Sequence, residues 1–209
     1  MTIVIKDYAH LSALILAIIN GSILFWRLRR DRPNLQVRAV EPKRFQWWFS
    51  LPGGEMNGQP TRRYGFLAYV RITNRGLRNV GLDKWGLKIK TKGGVKLKLK
   101  PTSIPEPRSR FSDEVEELRY FPVLGERTER FDGNTLIESG MSISGIAYYV
   151  ADVYGSDGWD PSLGKDRSVE GKFRIQDVLD NETSCKIIFS EISLDRAREI
   201  VPGIGKIGL

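Results

Sequence analysis

Between Ala9 and Trp26 the chain carries 18 consecutive residues with no Asp, Glu, Lys or Arg. A helix of that length rises about 27 Å, close to the roughly 30 Å of a bilayer's hydrocarbon core. Tyr8 stands at one end and Phe25 and Trp26 at the other, where amphipathic rings favour the membrane interface. A cleaved signal would need a basic start and a small-residue cleavage site. Here Asp7 follows Lys6, and bulky Phe25, Trp26 and Arg27 close the run. A core helix of a soluble domain would show a polar stripe, but Leu11, Leu14, Ile15, Leu16, Ile18, Ile19, Ile23 and Leu24 point all round. The segment predicts one uncleaved transmembrane helix, a signal-anchor.

Its flanks set the expected orientation. Arg27, Arg29, Arg30 and Arg32 crowd the C-terminal side, whereas Lys6 on the other side is offset by Asp7. The positive-inside rule then places the N-terminus outside the cell membrane and the main domain in the cytoplasm. Asn181-Glu182-Thr183 spells a glycosylation sequon, which an exported domain alone would use. Ala9, Ala13, Ala17 and Gly21 recur every four residues, a small-residue stripe along which two such helices could approach. Asn20 beside it could hydrogen-bond across the pair. The stripe makes a homo-oligomer through the anchor one expectation.

The remaining chain is long enough for a real core, and its 28% charged and 41% hydrophobic content is globular. Cys185 is the only cysteine and His10 the only histidine. That excludes an intrachain disulfide, cysteine-based zinc sites, and Ser-His-Asp or Cys-His catalysis in the soluble part. Cys185, in "SCKIIFS", reads as a small buried strand residue. A net charge of +8 favours an anionic partner, either a membrane leaflet or nucleic acid.

Alternating patterns predict strands over most of this part. A short strand near Leu35 to Val40 leads to Phe45, Trp47 and Phe49, which alternate with Gln46 and Trp48 and predict a strand with one wet face. "GGEMNGQPTRR" reads as a loop. In "YGFLAYVRITNRG", Phe66, Ala68, Val70 and Ile72 share one face, and a strand carrying Trp85 follows. This pair of strands resembles the middle of an immunoglobulin-like β-sandwich, a domain that often follows a membrane anchor in prokaryotic proteins. "MSISGIAYYVAD", "VEGKFRIQDVL" and "TSCKIIFSEI" predict later strands, and "SLDRAREI" a short helix capped by Ser193 and ended by Pro202. The expected fold class is therefore all-β, an immunoglobulin-like β-sandwich preceded by one N-terminal transmembrane α-helix. Residues 1–32 form the anchor with its basic flank, 33–192 the sandwich, and 193–209 a short C-terminal helix and tail.

"LKIKTKGGVKLKLK" is the most informative soluble stretch. A three-residue loop, Lys92-Gly93-Gly94, would pair Thr91 with Val95, Ile89 with Leu97 and Leu87 with Leu99, keeping one face apolar. Lys88, Lys90, Lys92, Lys96, Lys98 and Lys100 then gather on the other side. Like charges directly opposed destabilise a sheet, so that face must be solvated or meet an anion. Inner-leaflet anionic lipid is the nearest candidate for a tethered domain. The absence of interleaved stacking aromatics argues against nucleic acid. The acidic run Asp113, Glu114, Glu116 and Glu117 is another way to neutralise the lysines.

No catalytic residue, metal site or cofactor follows from the sequence. "GIGKIG" at 203–208 spells G-x-G-x-x-G with no helix to follow it. Asp152, Asp157 and Asp160 share a Gly-rich loop without the EF-hand spacing. The expected function is a non-enzymatic, membrane-anchored protein acting by protein or lipid interaction, its protein partner undefined. The alternatives are a tethered enzyme using carboxylates or a metal-binding Asp loop, and an effector that oligomerises through its helix.

Overall fold

The computed structural model describes residues 2–32, 34–102, 108–112, 118–122, 135–201 and 204. The apolar segment forms α1, Thr2–Arg30, a single helix extending beyond the uncharged run at both ends. His10–Arg29 is long and apolar enough to cross a membrane. Its described side chains stand in the open; Leu16 and Leu24, for example, are 60% and 62% exposed.

Behind it come twelve strands and one further short α-helix: β1 Leu35–Ala39, β2 Gln46–Met56, β3 Gln59–Asn74, β4 Val80–Lys90, β5 Lys96–Leu99, β6 Pro101–Thr102, β7 Arg108–Ser112, β8 Leu118–Pro122, β9 Thr135–Ile137, β10 Ser142–Tyr154, β11 Val169–Asp177, β12 Glu182–Glu191 and α2 Leu194–Ile200. The domain is all-β, as the alternating patterns require. Its main sheet is a single mixed one, in the order β5-β4-β11-β12-β2-β3-β10-β6 with β1 on β3 and β9 on β4. The join is a short parallel contact, Ser190 opposite Trp47 and Glu191 opposite Trp48. Two separate sheets were expected; one continuous sheet is found, because β12 leaves its antiparallel partner β11 and continues alongside β2.

The two halves of that sheet bury one core. Phe66, Val70, Ile72 and Tyr149 from the β3–β10 half meet Leu87, Ile89, Phe173 and Phe189 from the other. The rings of Phe66 and Phe189 pack edge-on at 5.5 Å, a geometry that suits aromatic quadrupoles. A second cluster lies on the opposite side of β2, β3 and β10, where Phe49, Leu67, Ile146 and Tyr148 are covered by Ala197 and Ile200 of α2. Ser193 caps α2 by accepting from the Arg196 N–H, the residue the sequence points to; Pro202 lies outside the described residues.

This second layer corrects the reading of β2. A wet face was expected opposite Phe45, Trp47 and Phe49, yet Trp48 is 3% exposed and Gln46 2%. Trp48 faces the main core while Phe45 and Phe49 face α2. Gln46 is satisfied by the backbone of Tyr69, which it bonds through both ends of its amide. The "GGEMNGQPTRR" loop is also a hairpin rather than a loop. Asn57 and Gly58 both take positive φ, the two-residue turn that suits twisted strands. A bulge between Leu51 and Gly54 absorbs the glycines, and a Cβ on Gly53 would stand 2.5 Å from the Thr61 carbonyl oxygen.

Candidate functional site

The β4–β5 hairpin takes the register its alternation dictates, with Leu87 opposite Leu99 and Ile89 opposite Leu97. Thr91 N–H donates to the Val95 carbonyl across the loop, and Gly94 supplies the left-handed residue at φ +81. Leu87 and Ile89 point inward and are fully buried. Lys88 therefore stands opposite Lys98, and Lys90 opposite Lys96, on the outer face.

Tertiary pairing extends that face well beyond the hairpin. Lys88 also stands opposite Lys172 on β11, and Lys172 opposite Lys186 on β12. Lys98, Lys88, Lys172 and Lys186 thus form one row across four adjacent strands, about 14 Å long at normal strand spacing. Arg174 lies two residues further along β11, beside Gly86. Sequence reasoning missed Lys172, Arg174 and Lys186. "GKFRI" and "CKIIF" carry the alternation that places them on an outer face, but nothing local says which strands become neighbours. An open groove of about 520 Å³ follows the row, lined by Lys88, Lys90, Lys96, Lys172 and Lys186 with Glu170.

The electrostatics are those of crowded like charge. Partial desolvation and then the neighbouring cations Arg174, Lys98, Lys172 and Lys96 hold the Lys88 ammonium below its ordinary value. Lys186 is paired with Glu170 at 2.7 Å, and Arg174 with Glu182. No ion pair to Lys88, Lys90, Lys96, Lys98 or Lys172 is formed among the described residues. Lys100 is exposed just past β5. The acidic run at Asp113, Glu114, Glu116 and Glu117 lies outside the described residues.

Lys92 leaves the row. Its ammonium sits 3.3 Å from Asp160, joined there by Arg62 Nε at 2.7 Å and the Tyr64 hydroxyl at 3.1 Å. Burial raises the Asp160 carboxyl, but the bonds from Arg62, Tyr64 and Lys92 together outweigh it and hold the group below its ordinary value. The three loop aspartates do not converge on one point. Asp152 pairs with Arg63, and Asp157 is largely exposed near Arg62. No cluster of metal-ligating side chains occurs among the described residues. "GIGKIG" lies outside them except for Ile204, which is buried against the α2 layer.

The anchor residues keep their sequence positions along α1, with Ala13, Ala17, Asn20, Gly21 and Trp26 exposed; Ala9 lies in the same helix. A Cβ on Gly21 would meet nothing within 4 Å. Arg27 and Arg29 occupy the last turn, Arg30 ends the helix and Arg32 follows it. Cys185 is half-buried, and burial pushes its thiol up to about 11, so it is not a reactive group at neutral pH. Asn181 of the sequon sits in the β11–β12 turn, its amide held by Asp177.

No family model matches this chain, and no curated protein does. Among solved structures it is similar to a protein described as ApaA from Bordetella pertussis, at 13% identity over 77% of this chain and 96% of that one, with a TM-score of 0.32. It is also similar to a family 123 glycoside hydrolase from Clostridium perfringens, at 11% identity, over 78% of this chain but 27% of that one, with a TM-score of 0.29. Likenesses this distant carry no argument about activity.

Proposed function

We propose that the chain is a single-pass membrane protein whose β-domain works by binding rather than catalysis, and that the outer face of β5, β4, β11 and β12 takes an acidic protein partner. The observation that carries this reading is the row Lys98–Lys88–Lys172–Lys186. Four cations side by side disfavour the sheet, and a complementary anionic surface would turn that repulsion into attraction and faster encounter.

Its position supports protein over the lipid of its own membrane. α1 joins the domain at β1, and Leu35 pairs with Asn74, so the bilayer end is where β3 ends and β4 begins. Lys88 lies eight residues further along β4, about 26 Å away at the normal rise. The Debye length in cells is about 8 Å. Four arginines at the end of α1 support a cytoplasmic domain by the positive-inside rule. We read the two-halved core as a variant of the immunoglobulin-like β-sandwich, from which the parallel β2–β12 contact departs. An enzyme built on the loop aspartates has less support, because Asp160 and Asp152 are already occupied by basic side chains.

The test uses the full chain in phosphatidylcholine nanodiscs with fluorescent poly-L-glutamate as probe. We expect salt-sensitive binding that weakens several-fold in a Lys88→Gln, Lys172→Gln double variant and not in Lys165→Gln, outside the row. Absence of wild-type binding at low salt, or equal loss in both variants, would overturn the reading. Stronger, row-dependent binding to added phosphatidylserine vesicles would replace the protein partner with lipid.

A further inference from the structure

Three connections meet at the end of the domain nearest α1, and each exposes apolar side chains. Leu77 lies between β3 and β4, Leu136 and Met141 on and after β9, and Val178 and Leu179 between β11 and β12. Their exposures run from 50% to 60%, although each belongs to a segment that is firmly held.

The holding groups are polar and buried. Asn74, with no exposed surface, donates its amide to the carbonyls of Arg78 and Ile137 and accepts from the Gly76 N–H. Its backbone bonds Met141 and Gly140. Asp177, 2% exposed, accepts from the N–H groups of Leu179 and Asn181. The Val178 N–H donates to the Gly81 carbonyl, and Gly81 pairs with Leu136 on its other side. One hydrogen-bonded block therefore presents these apolar tips outward instead of folding them in.

Exposed apolar residues also occur at the opposite end: Val95, Tyr154, Trp159 and Leu163. Exposure alone does not choose between the ends; the tether does. Only residues 31–34 separate α1 from β1, a span of under about 18 Å. The Arg75 N–H bonds the Asn34 carbonyl at 2.7 Å, fastening the tether to the connection that carries Leu77. A helix that spans the bilayer must bring this end to its surface, while the far end stands about 33 Å away along β4.

We propose that this apolar crown of Leu77, Leu136, Met141, Val178 and Leu179 inserts into the interfacial zone of the bilayer that α1 crosses, so the domain stands upright on a second membrane contact. Exposed Arg32, Arg75 and Arg78 border it at the level of the lipid phosphates, where arginine is favoured. Glu138 and Asp180 share this end and remain at headgroup depth; Asp180 is held by Gln176. The row of lysines is thereby turned sideways, clear of the bilayer.

The inference rests on α1 spanning the membrane, and the test separates the two. Cysteine is introduced singly at Leu16, Leu179 or Val95 of the full chain, labelled with bimane, and reconstituted with brominated phosphatidylcholine; label on Cys185 in the unsubstituted chain is subtracted. Quenching at Leu16 and Leu179 but not at Val95 is the expected result. Quenching at Leu16 alone, or equally at Leu179 and Val95, would overturn the crown and keep the anchor. An unquenched Leu16 would overturn the anchor and the crown together.

Discussion

At both ends of the β-domain a buried polar side chain ties several loops into one block, but the two blocks present different surfaces. At the α1 end the tie beside the tether is Asn74, a neutral amide bonded to backbone among the described residues, with the Asp177 carboxylate holding the β11–β12 turn next to it, and the surface they support carries Leu77, Met141 and Leu179. At the far end the tie is Asp160, a carboxylate held by Arg62, Tyr64 and Lys92. There the Lys92 N–H meets the Asp160 carbonyl and the Gly93 N–H the Gly158 carbonyl, joining the lysine hairpin to the Asp-rich loop. The α1-end groups are met by backbone and by the Asn181 amide, whereas Asp160 relies on charged and hydroxyl side chains that water also solvates.

Removing each tie in turn should produce the largest difference between the two ends. Asn74→Ala takes the side-chain partner from two carbonyls and an N–H around a fully buried residue, and we expect about 4 kcal/mol of lost stability in denaturant titration. Asp160→Asn removes a carboxylate whose partners are half-exposed, and about 2 kcal/mol is expected after allowing for solvent. A loss at Asp160 larger than at Asn74 would reverse the ranking of the two ends.

Acid separates them further. The Asp160 carboxyl is held below its ordinary 3.8, so its contribution is complete above that value and fades as pH falls through the lower folded value. The stability gap between wild type and Asp160→Asn should close in that range. The gap to Asn74→Ala should not, since an amide does not titrate. Melting temperatures measured from neutral pH down to acid check both.

Smaller effects probe the core between the ends. The Tyr149 hydroxyl is fully buried with no hydrogen-bond partner among the described residues, so Tyr149→Phe should leave stability unchanged or raise it by about 1 kcal/mol. Smallest of all, Leu179→Asp and Val95→Asp should each shift stability in detergent by less than about 0.5 kcal/mol, because both side chains are already exposed. A large loss for Leu179→Asp would mean that its turn is packed, and the two ends would then differ less than their surfaces suggest.

Much of the architecture is legible locally. The α1 segment, the register of β4 on β5, the inward Leu87 and Ile89 and the Ser193 cap all follow from periods of 3.6 or 2 and from turn chemistry. The β2–β3 hairpin was hidden for a physical reason: Pro52, Gly53 and Gly54 look like a loop, and only the bulge and the Asn57-Gly58 turn make them a strand end. The candidate face was half legible, since alternation marks Lys88 and Lys172 alike as outward.

The local sequence was enough for the apolar helix, for the outward faces of β4, β5 and β11, and for the exclusion of an intrachain disulfide and of any histidine other than His10. Tertiary structure alone decided that Lys172 and Lys186 complete the row, that Arg62 reaches Asp160 from 98 residues away, and that β12 joins both halves in one mixed sheet. It also gathered Leu77, Leu136, Met141, Val178 and Leu179 at the end where α1 attaches. Side-chain direction is set by near neighbours through backbone geometry, whereas strand partnership is set by how a whole core closes, and no short stretch of sequence contains that.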